Sequence, residues 1–229
     1  MLFSAQVFLC VFVSFIAMEK KYTADNIQSL LPHEHVRLRP QLYFKTCFDQ
    51  GHLNDLPFEA LCHAMDEYFS SACSQIEIAL YAQGFSILYD ANMSLEKDVE
   101  GNTRMENILT KIYACRNEKK HLEVGAEFCK LGLATLIFAS KKALVQSASK
   151  SNKLTLQFKN GQVEKRQFEN VTNAHPYTLI YLEIDAQLMP NLGYDFSAIQ
   201  ERAKALNEKL GTTLVQTKNC SSEDFKYAF

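Results

Sequence analysis

Four residues able to carry charge stand at helical spacing in the stretch FEALCHAMDE, which begins at Phe58. They are Glu59, His63, Asp66 and Glu67, and steps of three and four residues place them on one side of a helix. The apolar residues of the same stretch repeat with the helical period and predict a second, buried side. A surface helix needs only one apolar stripe, so this ordered polar side indicates that it has, or once had, a function. A solvated helix surface would show the same residues, and this simpler interpretation stays open.

The composition excludes several classes of function. A formal net charge of −2 and a pI near 6.3 give no basic surface for nucleic acid, so we expect no direct DNA binding. The seven cysteines are scattered and include no CxxC pair, which is typical of the reducing cytosol and not of a disulfide framework or zinc site. His33-Glu34-His35 has no further ligands beside it and is interpreted as a solvated turn. We therefore predict a cytoplasmic protein without a structural metal.

The first 17 residues, MLFSAQVFLCVFVSFIA, are strongly apolar. They suit the core of a signal peptide and are slightly short for a membrane span, but no positive charge precedes them. The soluble pattern begins at Met18, so we favour a start at Met18 and treat residues 1–17 as an extension. If residues 1–17 belong to the protein, a membrane anchor or export is the alternative.

The residues that follow predict alternating helices and strands from their apolar spacing. Helices are expected at 58–70, 103–115, 131–146 and 197–210, and a short helix or an arm at 23–31. Strands are expected at 76–81, 85–90, 177–185 and 212–218, and in a hairpin, 153–169, around the type I′ turn signal Asn160-Gly161. The segment VRLRPQLYF is expected to be a loop. Ser197 and Gln200 suggest a capping box, and Gly211 a helix stop.

Hairpins mixed with helices predict an α+β fold in which helices cover one face of a sheet. No repeat, low-complexity tract or linker interrupts residues 18–229, so we interpret them as a single domain.

With its elements in this order, the chain resembles the N-terminal ATPase domain of the DNA gyrase B protein, a member of the GHKL family. From Tyr22 onward the resemblance covers nearly the whole chain. It rests on YTADNI, on VRLRPQLYF (family Val-Arg-x-Arg-Pro-x-x-Tyr), on FEALCHAMDE (family Phe-Glu-Val-Val-Asp-Asn-Ala-x-Asp-Glu), on EGNTRMENILTKIYA and on KLGLATLIFAS. It implies the GHKL (Bergerat) fold, a two-layer α/β sandwich with a mixed, mostly antiparallel sheet.

The resemblance places Glu59 on the family's general base, which polarises the attacking water in phosphoryl transfer. His63 replaces the asparagine that holds magnesium. Magnesium prefers oxygen ligands and imidazole suits other metals, so we expect an idle base and doubtful magnesium binding. Asp55 stands where the family has a water-orienting histidine.

Asp90 falls on the acid of the Asp-x-Gly-x-Gly motif, which accepts the adenine amino group in the family. Asn92 and Ser94 replace the two glycines, where bare backbone would approach the ligand. Thr178 matches the threonine that shares a water with that acid and adenine. The resemblance therefore implies nucleotide binding through Asp90, Thr178, Asn92 and Ser94.

A second alignment of this motif stays open. Shifted by one residue, it puts Tyr89 on the acid position, in agreement with the alternation of Phe85, Ile87 and Tyr89. We prefer the ungapped alignment. Asp90 at the end of a strand is also a common turn residue.

The family's glycine-rich phosphate loop is replaced by AEFCKLG, 126–132, where Gly132 alone remains. Backbone amides at a helix N-terminus would hold the phosphates there. Glu127 adds negative charge, Phe128 adds bulk, and Lys130 offers one compensating cation. We expect weak phosphate contacts.

These features predict a stand-alone, degenerate ATP-binding domain that has lost hydrolysis and acts as a binding or regulatory module. The alternative is a divergent, slow ATPase using Glu59, Asp90 and Thr178. Because the chain stops where the family's ATPase domain stops, we do not expect a complete topoisomerase. The candidate cofactor is ATP, and the candidate partner is a protein, gyrase or another. A third hypothesis is a decoy that docks on gyrase itself through the arm at 22–31.

A last expectation concerns the pocket. If the polar side of the helix no longer serves phosphates, we expect the pocket to be filled by the chain's own side chains, Phe128 and Met93 among them. His63 should then pair with Glu59 or Glu67, one helical turn away.

Overall fold

The computed structural model describes residues 29–112, 130–220 and 225. The chain divides into residues 1–30, of which the last two are described, and residues 31–229, which contain every helix and strand given below. The apolar run 1–17 and most of the short helix or arm predicted at 23–31 lie outside the described residues. Residues 29–31 are not helical.

The described part of the chain contains eight helices, most of them short. They are α1 (Pro32–Leu38), α2 (Pro40–Tyr43), α3 (Lys45–Gln50), α4 (Leu56–Glu59), α5 (Cys62–Phe69), α6 (Arg104–Thr110), α7 (Leu133–Phe138) and α8 (Phe196–Leu210). None of these helices has the length and apolar character needed to cross a membrane.

The loop predicted for VRLRPQLYF is wrong, because this segment lies in α1 and α2. Pro32 and Pro40 begin the two helices, at a position where the missing N–H of proline has no helical partner to lose. The guanidinium of Arg37 pairs with Asp185 and also donates to the carbonyl oxygen of Ser140 at 3.3 Å. This contact ties α1 to the residues beside the sheet.

Two helix predictions are confirmed with changes in detail. The helix at 58–70 is present but divided, since a turn at Ala60 and Leu61 separates α4 from α5. The helix at 197–210 is α8, which Gly211 ends in a left-handed conformation with φ 65°. Its N-cap is Asp195, which accepts from the N–H groups of Ser197 and Ala198, in place of the expected capping box.

Seven strands in the described residues form one sheet. They are β1 (Ile76–Tyr81), β2 (Phe85–Tyr89), β3 (Ser140–Ala148), β4 (Asn152–Lys159), β5 (Gln162–Asn170), β6 (Tyr177–Ile184) and β7 (Val215–Cys220). Their spatial order is β5-β4-β3-β6-β2-β1-β7. Neighbouring strands are antiparallel except β1 and β7, which run parallel with Ile76 opposite Val215.

The hairpin of β4 and β5 is confirmed at its predicted turn. Asn160 and Gly161 both have positive φ, 51° and 80°, as a type I′ turn requires. The helix predicted at 131–146 is wrong in its second half, because α7 ends at Phe138 and β3 begins at Ser140. Periodicity alone does not separate a buried helix from a buried strand in so apolar a run.

The main core lies between the helices and one face of the sheet, and all the described helix residues in a buried apolar cluster belong to it. The other face carries a small separate cluster of Leu144, Leu179 and Tyr181. The predicted α+β class with helices on one face of a mixed sheet is confirmed.

Candidate functional site

Glu59 ends α4 with its carboxylate turned to the backbone of a distant segment. Its Oε2 accepts hydrogen bonds from the N–H groups of Lys130 and Leu131, the second at 2.9 Å. The residue is only 6% exposed. Gly132 follows these amides as the N-cap of α7, with a φ of 73° that favours glycine. Glu59 therefore fastens the segment that leads into α7.

Burial dominates the electrostatics of Glu59 and raises its pKa above the ordinary value. The hydrogen bonds from Leu131 and Lys130 act in the opposite direction, as do the positive charges of Lys130 and Arg202. A carboxylate that already accepts two amides has less capacity to orient an attacking water. Asp55, at the family's histidine position, forms an ion pair with Arg202.

His63 lies in the first turn of α5 and is buried. Its Nδ1 is 3.1 Å from the hydroxyl of Tyr89, within hydrogen-bonding distance. Its Nε2 is 3.9 Å from Oε1 of Glu67, so the predicted contact with an acid is found at Glu67. Both ring nitrogens thus face groups of this chain.

Tyr89 ends β2 and is buried together with its neighbours on the adjacent strands. It stands opposite Thr178 of β6, which stands opposite Ser147 of β3. The Thr178 hydroxyl donates to the carbonyl of Ala91 at 2.8 Å, and the N–H of Met93 donates to Ser147 Oγ at 2.9 Å. Burial raises the pKa of Tyr89 well above its usual value, so this phenol stays neutral.

Met93 is fully buried within the main core, as expected for a side chain that fills the pocket. Phe128, the other expected filling residue, lies outside the described residues, as do residues 126–129 of the altered phosphate loop. The side chain of Tyr89 is buried, and the residue stands opposite Thr178 in the pairing of β2 with β6.

Asp90 is exposed and closes a turn before β1. Its Oδ1 accepts from the N–H groups of Ser74 and Gln75, at 2.8 and 3.1 Å, and the Ser74 hydroxyl donates to Oδ2. Burial alone would raise the pKa of Asp90, but these hydrogen bonds outweigh it and lower the pKa to about 2.

In the register of β2 with β6 the residue opposite Thr178 is Tyr89, and Asp90 follows the end of β2. Asp90 borders a cavity shared with Glu77 and Leu88, and a different cavity is lined by Asn92 and Ser94. Tyr89 borders the same cavity as Asp90. The assignment of Asp90 as the adenine-contacting acid stays a prediction.

A cavity of about 530 Å³ remains beside this filled region. Asn92 and Ser94 line it with His63, Glu67 and Arg104. Asn92 donates from Nδ2 to the carbonyl of Met93 at 3.0 Å, and Ser94 Oγ accepts from the N–H of Glu96 at 3.3 Å. Of the predicted nucleotide-binding residues, the structure brings Asn92 and Ser94 together at this cavity and leaves Asp90 elsewhere.

The residues do not fit the family's magnesium ion. The asparagine position supplies the imidazole of His63, whose Nδ1 already meets Tyr89. The Glu59 carboxylate is engaged by the amides of Lys130 and Leu131. Within the described ranges, no group of three or more histidine, cysteine, aspartate or glutamate side chains is arranged to hold a metal ion.

Two contacts were missed by the sequence prediction. The first is the contact of the buried Tyr89 hydroxyl with His63. The alternation of Phe85, Ile87 and Tyr89 indicated that Tyr89 faces the interior, but the preferred ungapped alignment drew attention to Asp90 instead. The second is the pair of hydrogen bonds from the N–H groups of Lys130 and Leu131 to Glu59. No local sequence pattern indicates it, because the partners lie far apart in the chain and only folding brings them together.

No family model matches the chain. The DNA gyrase B protein of Borrelia hermsii is 24% identical over 217 residues, covering 91% of this chain and 34% of that protein. The DNA gyrase B protein of Metamycoplasma hominis is 27% identical over 194 residues, covering 81% of this chain and 30% of that protein. The chain spans about a third of the length of such relatives.

Solved structures share the fold. The 43K ATPase domain of Thermus thermophilus gyrase B, in complex with an aminocoumarin, matches with a TM-score of 0.62 and 18% identity, covering 84% of this chain and 50% of that one. The topoisomerase IV ATP-binding domain of Francisella tularensis, in complex with a small-molecule inhibitor, matches with a TM-score of 0.62 and 18% identity, covering 81% and 89%. The seven-stranded sheet with helices on one face therefore has the GHKL ATPase fold.

Proposed function

Since this chain is homologous to the N-terminal ATPase domain of DNA gyrase B, we propose that it is a non-hydrolysing binding or regulatory module built on that domain. The observation that carries the proposal is the contact of Tyr89 with His63 beside Thr178. A buried phenol there takes the place of a ligand's base, and an imidazole takes the place of a magnesium ligand.

The engagement of Glu59 supports the same proposal from the other end of the site. Catalysis of phosphoryl transfer depends on positioning the nucleophile and stabilising the developing charge. Here the carboxylate that would orient water accepts the amides of Lys130 and Leu131. These hydrogen bonds engage the carboxylate that would act as general base. They also engage two amides that would otherwise be available to phosphate oxygens.

The experiment is a phosphate-release assay on the full chain with ATP and magnesium, combined with calorimetric titration. We expect no turnover above background. Any nucleotide that binds should do so weakly and with similar affinity as ADP or ATP, because the amides that would recognise the γ-phosphate are capped by Glu59.

The matched control is Glu59→Gln, which keeps an oxygen acceptor for both amides and removes the base. Magnesium-dependent turnover that this substitution abolishes would overturn the proposal. It would instead establish a divergent, slow ATPase.

That slow ATPase is the second candidate, and the observation that favours it is the cavity bordered by Asn92, Ser94 and Arg104. A polyanion could enter there beside one guanidinium. ATP binding tighter than adenosine by several orders of magnitude would support this candidate, since it requires contacts to the phosphates.

A module without hydrolysis acts through a partner. We propose a protein partner, gyrase or another, a cytoplasmic location and no direct contact with DNA. A pull-down with purified gyrase proteins, scored with and without DNA, tests the gyrase part of this proposal directly.

A further inference from the structure

Strand β5 lies at one edge of the sheet, and among the described strands only β4 pairs with it. It is nine residues long, and residues 162–167 and Asn170 are exposed. The N–H and C=O groups that point away from β4 therefore have no ladder partner among the described strands. Such an edge can take up a further strand through its main chain.

Two rows of side chains alternate along β5. Arg166 and Phe168 lie opposite Leu156 and Leu154 of the main core, on the face that the helices cover. Arg166 is also held within the chain, because its Nε is 2.6 Å from Oε1 of Glu106 in α6. This row is therefore engaged in packing the chain itself.

The row on the other face of β5 is Lys165, Gln167 and Glu169. Glu169 pairs with Lys153, its opposite residue on β4, at 3.2 Å, and Gln167 donates to Glu169 at 2.5 Å. Lys165 forms no ion pair with any residue that the structure describes. The row reads cation, amide, anion, and it is its own complement when the strand direction is reversed.

This self-complementarity restricts how two copies of β5 can pair. Identical antiparallel strands are related by a two-fold axis, and residues opposite each other point to the same face. One residue therefore stands opposite its own copy. An axis at Glu164, Lys165 or Arg166 would place like charges directly opposite each other, which is destabilising.

An axis at Gln167 avoids every like-charge pair over residues 164–170. The two Gln167 amides then face each other, and each can donate to and accept from the other. Lys165 of each copy lies opposite Glu169 of the other, which makes two pairs of opposite charge. An axis at Phe168 also avoids like charges, but it makes no such pair and overlaps only residues 166–170.

The charges continue in alternation across this junction. Lys153 and Glu169 of one copy are followed by Lys165 of the other, so each Glu169 lies between two cations. Exposed ion pairs contribute little free energy by themselves, about 0–1 kcal/mol. Here the main-chain ladder would hold the strands together, and the charges would select the register. Charges on an edge strand more often prevent pairing.

We infer that β5 is a docking edge for a second copy of this chain, which joins the two sheets antiparallel about Gln167. The partner is selected by the charge order of the row at 165–169. An interface made by one strand edge is small, so the dimer should form and dissociate with concentration. The inference does not depend on the Tyr89 region or on the loss of hydrolysis.

Sedimentation velocity on the full chain over a range of concentrations tests the inference. The wild-type chain should pass from monomer to dimer as its concentration rises. Lys165→Glu and Glu169→Lys each place like charges opposite each other twice in the dimer. Either substitution alone should therefore raise the dissociation constant at least about tenfold.

A mixture of the two variants is the decisive measurement. In a mixed dimer, the acid introduced at 165 faces the lysine introduced at 169, and the native Glu169 faces the native Lys165. An equimolar mixture should therefore dimerise where each variant alone stays monomeric. This recovery also shows that both variants are folded, and circular dichroism of each variant checks the same point.

Lys204→Glu is the matched control, because it makes the same change of charge on α8 at a side chain that is 78% exposed. It should dimerise as the wild type does. A wild-type chain that stays monomeric at every concentration would overturn the inference. So would a dimer that neither charge reversal weakens, or a mixture of the two variants that remains monomeric.

Discussion

Glu59 and Asp90 lie in two regions of the molecule and make the same kind of hydrogen bonds, one in a buried and the other in an exposed environment. Each carboxylate accepts hydrogen bonds from two consecutive backbone amides. Glu59 is buried, and burial raises its pKa, whereas Asp90 is exposed and its pKa falls to about 2. The same local bonds therefore accompany opposite shifts, because desolvation prevails only where water is excluded.

The two sets of hydrogen bonds also differ in how far apart their partners lie in the chain. Glu59 joins α4 to the segment before α7, far along the chain. Asp90 joins the end of β2 to the turn before β1, which is close in sequence and space. The first contact holds the segment before α7, and the second finishes the hairpin of β1 and β2. Tyr89 and His63 are both buried and lie within hydrogen-bonding distance of each other.

The largest effect is expected from Tyr89→Ala, which tests whether the end of β2 is packed core. Removing a fully buried aromatic ring should lower the free energy of unfolding by about 3–5 kcal/mol. Urea denaturation measures this loss. Leu88→Ala is the control, since Leu88 is the exposed neighbour on the same strand. A loss for Tyr89→Ala no greater than for Leu88→Ala would mean that the pocket is not filled.

His63→Asn tests the junction between the two regions. Asparagine is the family residue, but it is too short to keep both the Tyr89 and Glu67 contacts of the imidazole. Losing the hydrogen bond between the imidazole and the buried hydroxyl of Tyr89 should cost about 1 kcal/mol. Thermal unfolding with and without ATP and magnesium measures it, with the exposed His175→Asn as control. A higher melting temperature with a new ATP-dependent shift would contradict this prediction.

Asp90→Asn should cost about 1 kcal/mol at neutral pH, because the amide keeps an acceptor and loses the charge. The folded-state pKa of Asp90 is lowered, so its carboxylate stabilises the protein above the unfolded value of about 3.9. That contribution fades as the pH falls toward 2. The difference between wild type and variant should therefore shrink below pH 4 in acid titrations of stability. A constant difference down to pH 2 would disprove the role of the charge.

Glu59→Gln should change the free energy of unfolding the least. It should leave that free energy unchanged or raise it, whereas the three other substitutions lower it. The folded-state pKa of Glu59 is raised, so the folded state holds its proton longer than the unfolded state as the pH rises above about 4.3. Wild-type stability therefore declines through that window, and the variant does not share the decline. We expect the variant to equal or exceed wild type by less than about 1 kcal/mol at pH 7. A clear loss of stability at pH 7 would show that the ionised carboxylate is stabilising.

The sequence predicted best where local chemistry decides the structure. The Asn160-Gly161 turn has the two left-handed residues that its hairpin needs, and Gly211 ends α8 for the same reason. Both are properties of a few adjacent residues, and neither depends on distant contacts.

The errors arose where contacts between distant parts of the chain decide the local structure. The run from Leu133 to Val145 is apolar for most of its length, so only pairing with β4 and β6 makes its second half a strand. In the site, a slip of one residue exchanges Tyr89 for Asp90 at the buried position, since strand faces alternate. The resemblance puts Asp90 on the family's acid, whereas Tyr89 is the residue that is buried.

The parallel pairing of β1 with β7 has a consequence for how the chain is made. Ile76 reaches its partner Val215 only after β2 through β6 and α8 have been synthesised. Until then β1 is an edge strand with unpaired backbone groups, open to pairing with other chains. Such a long-range closure slows folding. We therefore expect β1 to stay open to pairing with other chains until β7 is available.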